Sequence, residues 1–205
     1  MKKFIISKCM NYIKKNTNYN EIKLEEIKYG LVSIYLTISK MLIISIISLI
    51  LGIFKEMITF SLIYNILRFP SFGLHATKSW ICLIISAILF IGIPYLSIIL
   101  NIPITLKIII CIFGIYLMFK NAPADTQKKP IINKKKRMMY KLISTTLAII
   151  YSIIIFLIKD KIFSNYLLIS LILQNIMISP ITYKIFKLPY NNYITYLEKH
   201  PEFSN

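Results

Sequence analysis

Two residue types that together perform thiol chemistry stand seven residues apart in the stretch Arg68-Phe-Pro-Ser-Phe-Gly73-Leu-His75-Ala-Thr-Lys-Ser-Trp-Ile-Cys82. A cysteine is a strong nucleophile only as its thiolate. An imidazole that titrates near neutral pH can take the thiol proton and later return it to a leaving amine. His75 is one of two histidines, Cys82 is one of three cysteines, and both sit where a long uncharged run begins. On an unbroken helix the pair would share a face but be separated by about 10.5 Å of rise, too far for a hydrogen bond. The chain must therefore bend between them. Pro70 disfavours helical geometry in the residue before it and Gly73 permits positive φ, so a turn is predicted over residues 70–77, with a helix starting near Thr77 or Ser79. Cys82 then falls in the first turns of that helix, where the dipole modestly favours a thiolate. The same residues admit a reading without chemistry: a cysteine in an apolar helix packs as a small hydrophobe, and a histidine at a membrane border reaches for the headgroups.

The elements that must position this pair are membrane helices. Hydrophobic residues make up 57% of the 205-residue chain, and several runs approach the ~20 residues that cross a bilayer. The isoleucine-rich stretches are continuous rather than alternating, which excludes a β-barrel and predicts an all-α integral membrane protein. Apolar segments are placed at 29–53, 55–69, 79–100, 103–119, 138–158 and 162–184, giving about six transmembrane or partly re-entrant helices. Residues 1–28 read as a basic, amphipathic interfacial segment without the long apolar core of a signal peptide. One membrane-embedded domain over 1–205 is expected: four segments with the motif in 29–119, a basic loop at 120–137, two more segments in 138–187, and a tail at 188–205.

The net charge of +17 is arranged to suit this topology. With six crossings, most basic residues fall on the side of the N-terminus, so the positive-inside rule places both termini and the 120–137 loop in the cytoplasm. The same charges attract anionic inner-leaflet lipid. Nucleic acid is not expected as a partner, because the basic residues line membrane borders and form no binding module. Cys9 and Cys111 read as structural, no disulfide is expected beside a reducing cytosol, and no His, Cys or acidic set has metal-ligand spacing. Pro123 and Pro130 mark a helix stop and an extended loop, which Asp125 and Thr126 would shape. Asn65, Gln174 and Asn175 are expected to make interhelical hydrogen bonds. Lys40, the charge deepest in a span, reads either as a substrate or partner contact or as a snorkelling side chain.

Arg68, Gly73, His75 and Cys82, with small Ala76 after the histidine, resemble the active-site stretch of the AgrB family, membrane cysteine endopeptidases of Gram-positive quorum sensing. Ala122-Pro-Ala-Asp-Thr-Gln-Lys128-Lys129-Pro130 is similar to that family's Ala-Pro-Ala-x-Thr-x-Lys-Lys-Pro loop. The glycine pair often found before the histidine is Phe72-Gly73 here. Gly30-Leu-Val32 lacks the amide that some members carry in the first span, so no third catalytic residue is carried over. The resemblance implies a thiol protease of the bacterial cell membrane, active at its cytoplasmic face without a cofactor. It would remove the C-terminal tail of an AgrD-like propeptide and promote cyclisation of the remainder to a thiolactone or lactone autoinducing peptide. His75 and Cys82 would be catalytic. Arg68 and Gly73 would support the turn or position substrate, with Arg68 alternatively anchoring its span at the headgroups. Lys128, Lys129, Lys134, Lys135, Lys136 and Arg137 would hold an acidic substrate tail, with membrane topology as the other explanation of their charge. A homodimer is compatible with such a protein. The competing class is a non-enzymatic membrane protein, a small peptide exporter or structural partner in which His75 and Cys82 only pack.

Overall fold

The computed structural model describes residues 2–17, 19–74, 79–126 and 130–199, and these residues are helical throughout apart from their connections. They fall into two compact units, Met1–Gly52 and Ile53–Asn205.

The first unit pairs α1 (Lys2–Asn16) with α2 (Glu21–Ile50). The helix starts at Glu21 rather than at 29 because Asn20 caps it, its side chain accepting from the Lys23 N–H at 3.0 Å. Hydropathy alone marks only the part of α2 suited to lipid. Between the two helices is a cleft of about 510 Å³ lined by Ile6, Met10 and Val32, with Lys3, Lys14 and Lys28 among its walls.

The second unit is a bundle of α3 (Phe54–Ser71), α4 (Ser79–Ala87), a π-helical turn (Ile88–Gly92), α5 (Ile93–Ile99), α6 (Ile104–Asn121), α7 (Lys134–Leu157), α8 (Lys161–Ile178), α9 (Pro180–Ile185) and α10 (Asn192–Lys199). Among the described residues of the chain five helices are long and apolar enough to cross a membrane: Lys23–Ile50, Trp80–Ile99, Ile104–Asn121, Lys134–Leu157 and Lys161–Ile178. The segment expected at 55–69 is α3, whose 18 residues include Lys55, Glu56 and Arg68 and so lack the apolarity of the others. The expected 162–184 segment is divided at Ser179–Pro180, where proline removes a backbone donor and α9 starts afresh. Within Trp80–Ile99 the π turn precedes Pro94, whose missing N–H and ring would break a regular α ladder.

Helix α8 occupies the centre. Leu168 and Leu171 are fully buried on it, and so are the polar Asn165, Ser170 and Gln174. Its amides clasp backbone carbonyls of neighbouring elements, Asn165 Nδ2 donating to Ser97 O at 2.9 Å and Leu100 O at 3.1 Å, and Asn175 Nδ2 to Gly114 O at 3.1 Å. Gly114 lets α6 approach closely, since a Cβ there would lie 2.9 Å from Leu171 Cδ2. Asn175 thus makes the cross-element bond expected of it, and so does Gln174, whose Nε2 donates to Ser71 Oγ on α3. Asn65 does not: it is exposed, and its amide turns back on α3, donating to Ser61 O at 2.8 Å. An aromatic cluster of Phe60, Tyr64, Phe90 and Tyr166 joins α3, the π turn and α8.

Candidate functional site

Helix α3 continues through Pro70 to Ser71, so the bend begins two residues later than expected. A proline in a last turn interrupts little, and the ladder resumes at once, with Phe72 N–H donating to Arg68 O at 2.9 Å. The turn itself is made by Phe72 at φ 57°, ψ −130° and Gly73 at φ 114°. Phe72 stands in a conformation that glycine adopts without strain and a bulky residue does not. Its ring is held edge-on by Tyr140 of α7 at 5.1 Å between centroids. A Cβ on Gly73 would lie 3.0 Å from Met177 O and 3.4 Å from Ile178 Cγ2, so that position requires glycine for both space and backbone.

Four groups fasten this turn. Arg68, half-buried, reaches forward to donate to Leu74 O at 2.9 Å, while its other nitrogen donates to Tyr64 Oη at 2.8 Å. Leu74 N–H donates to Met177 O at 3.0 Å. Gln174, at the same end of α8, donates through Nε2 to Ser71 Oγ at 2.6 Å and to Phe72 O at 2.8 Å. The Ala122–Asp125 loop supplies the fourth: Ala124 N–H donates to Ser71 O at 3.0 Å and Gly73 N–H to Ala124 O at 2.9 Å, an isolated parallel bridge between Phe72 and Ala124. The two motifs singled out from the sequence are therefore one hydrogen-bonded unit.

Asp125 anchors the loop in turn. Its carboxylate, with 2% of the side chain exposed, accepts from the N–H groups of Ile131, Asn192 and Tyr193 and faces Arg137 at 3.4 Å. Burial pushes this carboxyl above the usual aspartate range, and Arg137 with the three N–H groups pulls it back. Two of those donors begin α10, so Asp125 also sits where a helix N-terminus favours negative charge. Its carbonyl oxygen accepts from Tyr183 Oη at 3.1 Å and Asn192 Nδ2 at 3.2 Å. Burial, followed by the charge of Asp125, raises the Tyr183 phenol well above its normal range and keeps it a donor. Sequence reasoning gave Asp125 only a loop-shaping role, because its partners at 137, 192 and 193 are distant in the chain.

The expected site residues are distributed as follows. Arg68 and Gly73 meet at the turn. Cys82 lies half-buried in α4, whose described residues run from Ser79, while Thr77, the other expected start, lies outside the described residues. Asn165 ties the far end of the Trp80–Ile99 helix to the start of α8, so Cys82 belongs to the end of the bundle where α8 holds the Phe72–Leu74 turn. His75, Lys128 and Lys129 lie outside the described residues. Lys134, Lys135 and Lys136 are exposed in the first turn of α7, capped by Asn133. Arg137 faces inward, stacked on Tyr193 at 3.5 Å from the ring centre as well as paired with Asp125. Lys40 is half-buried on α2. Cys9 is exposed and Cys111 buried, none of the three cysteines is in a disulfide, and no metal-binding cluster occurs among the described residues.

The family model described as Accessory gene regulator B matches residues 6–178. An AgrB-like protein of Listeria monocytogenes serovar 1/2a is 35% identical over 173 residues, covering 83% of this chain and 84% of that protein. An AgrB-like protein of Clostridium acetobutylicum is 30% identical over 181 residues, 88% of this chain and 87% of the other. The Accessory gene regulator protein B of Staphylococcus aureus is 28% identical over 178 residues, 86% and 93% respectively. No solved structure matches the chain.

Proposed function

Since the chain belongs to the accessory gene regulator B family of a quorum-sensing system, we propose that it is a membrane cysteine endopeptidase that removes the C-terminal tail of an AgrD-like propeptide and promotes cyclisation of the rest. The observation that carries this reading is the fastening of the Phe72–Leu74 turn, which leads directly to His75, onto both α8 and the Ala122–Asp125 loop. A base and a nucleophile that must meet from one short segment need such a preorganised bend.

In the proposed reaction His75 takes the proton of Cys82, and the thiolate sulfur bonds to the scissile carbonyl carbon. The imidazolium then gives its proton to the leaving amine as the carbon–nitrogen bond breaks, and the tail departs from a Cys82 thioester. A thiol or hydroxyl within the propeptide, deprotonated by the same imidazole, attacks the thioester carbon and releases Cys82 as thiolate. Water must be kept out, since hydrolysis would yield a linear peptide, and a site at the edge of the bilayer suits that need. Arg68 keeps the turn in shape through Leu74 O, which favours support over substrate contact as its role.

The active end would face the cytoplasm of a bacterial cell, with both termini on that side and anionic lipid beneath the basic borders. The test is coexpression with the propeptide, read by mass spectrometry. Cys82→Ala and His75→Ala should leave only full-length substrate, while Cys9→Ala and Cys111→Ala should process it. Normal cleavage by Cys82→Ala would end the enzyme reading. In a cysteine-free background, single cysteines at Lys135, in the first turn of α7, and at Lys159, just past its other end, should label oppositely with an impermeant maleimide in intact cells; labelling at Lys135 alone would invert the orientation.

A further inference from the structure

We propose that the cleft between α1 and α2 binds one anionic phospholipid, with Lys3, Lys14 and Lys28 around its phosphate and an acyl chain laid on Ile6, Met10 and Val32. The cleft encloses about 510 Å³, within the range of roughly 300–1,000 Å³ usual for ligand sites. It belongs wholly to the first unit, and the inference does not depend on the peptidase reading.

The sequence writes two adjoining stripes onto α1. Ile6 and Met10, one turn apart, are buried and form the floor. Lys3, Ser7, Asn11 and Lys14 recur at intervals of four and three residues, so they run beside that floor as one polar edge. The facing wall receives Lys28 and Val32 from α2, again one turn apart. Each wall thus sets ammonium groups next to apolar surface.

The charge and the floor together select the occupant. No carboxylate lines the cleft, and among the described residues none of Lys3, Lys14 and Lys28 is in an ion pair, whereas Lys23 on α2 faces Glu26 at 3.3 Å. A concavity lined by one sign of charge concentrates the opposite sign. The apolar floor offers nothing to a small hydrated anion and suits a hydrocarbon chain. Depth then decides the source. Lys28 is the last charge before the uncharged run 29–39 of a helix long and apolar enough to cross a membrane, and Val32 lies about 6 Å further along it. On its outer side α1 exposes Phe4, Ile5 and Tyr12 among lysines, the pattern of a helix lying in the headgroup layer. At that level a membrane lipid presents phosphate and chain together.

The experiment uses full-length protein in neutral detergent, titrated with phosphatidylglycerol, phosphatidylcholine or inorganic phosphate and read by native mass spectrometry. One phosphatidylglycerol should be retained under activation that strips phosphatidylcholine, and phosphate should add nothing. Replacing Lys3, Lys14 and Lys28 together by glutamine should weaken retention by about 100-fold, at about fivefold per lysine. Replacing Lys8, Lys15 and Lys23 by glutamine removes the same charge from the same two helices outside the cleft lining, and should leave retention within about threefold of the parent. Val32→Trp fills the floor without altering charge and should displace the lipid, with the helix content by circular dichroism unchanged. Equal weakening by the two lysine triplets, or undiminished retention in Val32→Trp, would overturn the proposal in favour of a diffuse basic surface. Phosphate binding as tight as that of the lipid would reduce the cleft to an anion site and overturn it as well. Protection of Lys3, Lys14 and Lys28 from acylation by the propeptide in phosphatidylcholine nanodiscs, with none from phosphatidylglycerol, would give the cleft to a peptide and end the lipid assignment.

Discussion

The helix that carries Cys82 and the helix that holds the neighbouring turn are opposites. Trp80–Ile99 is the more apolar and buries only Phe90, Ile93, Pro94 and Ser97, whereas more than half of Lys161–Ile178 is buried. The more apolar span is the one turned outward. In water the reverse would be expected, but lipid tails are as apolar as leucine, so burying an isoleucine against protein gains little. Amides and close-packed small residues select the central helix instead. No described side chain of Trp80–Ala87 is buried, while α8 brings three amides to bear on backbone carbonyls. The candidate centre therefore has one flank built on polar fastening and one on a lipid-facing helix, and substitutions on the two should have unequal effects.

The largest expected effect lies on the fastened flank. Asp125→Ala removes one partner of a buried pair and leaves Arg137 facing no carboxylate, which typically costs about 3–5 kcal/mol. It should appear as a lowered melting temperature in detergent and early proteolytic release of α10. The matched substitution on the other flank, Ile84→Ala at a residue 49% exposed on α4, should stay within about 0.5 kcal/mol. Equal losses would break the comparison.

A smaller stability effect with a large functional one is expected at Gly73. Alanine there meets Met177 O at 3.0 Å and must hold φ near 114°, at a cost of about 1–3 kcal/mol. A displacement of about 1 Å in the turn leading to His75 would lower cleavage by about 100-fold. Measuring melting temperature and kcat/KM on the same sample separates the two. A fall in cleavage no larger than the loss of folded protein would mean that the turn supports the fold and not the chemistry.

Much of this was legible in the sequence, and the exceptions have physical causes. The apolar runs locate the helices because hydrocarbon thickness sets their length, yet α2 and α7 start earlier than the runs, since Asn20 and Asn133 cap polar turns that hydropathy cannot register. Pro70 suggested an earlier bend than the chain takes, because one missing donor in a last turn does not stop a helix. Gln174 and Asn175 were recognisable as amides with no reason to face lipid, but only folding brings residue 174 beside residue 72. Asn65 looked the same in sequence and lies on an exposed face of α3, where Ser61 offers a nearer partner. Asp125 was unreadable as a hub because its donors come from four places in the chain.

The smallest expected effect concerns a region outside both flanks, the exposed Lys134, Lys135 and Lys136. Arg137 belongs to a different class, being engaged by Asp125 and Tyr193, so a substitution meant to probe charge alone must leave it in place. Changing the three lysines to glutamine should alter stability by no more than about 0.5 kcal/mol. If they attract an acidic propeptide tail, KM should rise several-fold while kcat holds, because binding common to ground and transition states is what disappears. The rise should fade with added salt, as exposed charges are screened over about 10 Å at 0.1 M. Acidic-tailed and neutral-tailed substrates, each assayed in anionic and in neutral lipid, separate the causes. A rise confined to the acidic tail in both lipids places the lysines on the substrate path, whereas an equal rise for both tails, seen only in anionic lipid, means that they serve the membrane.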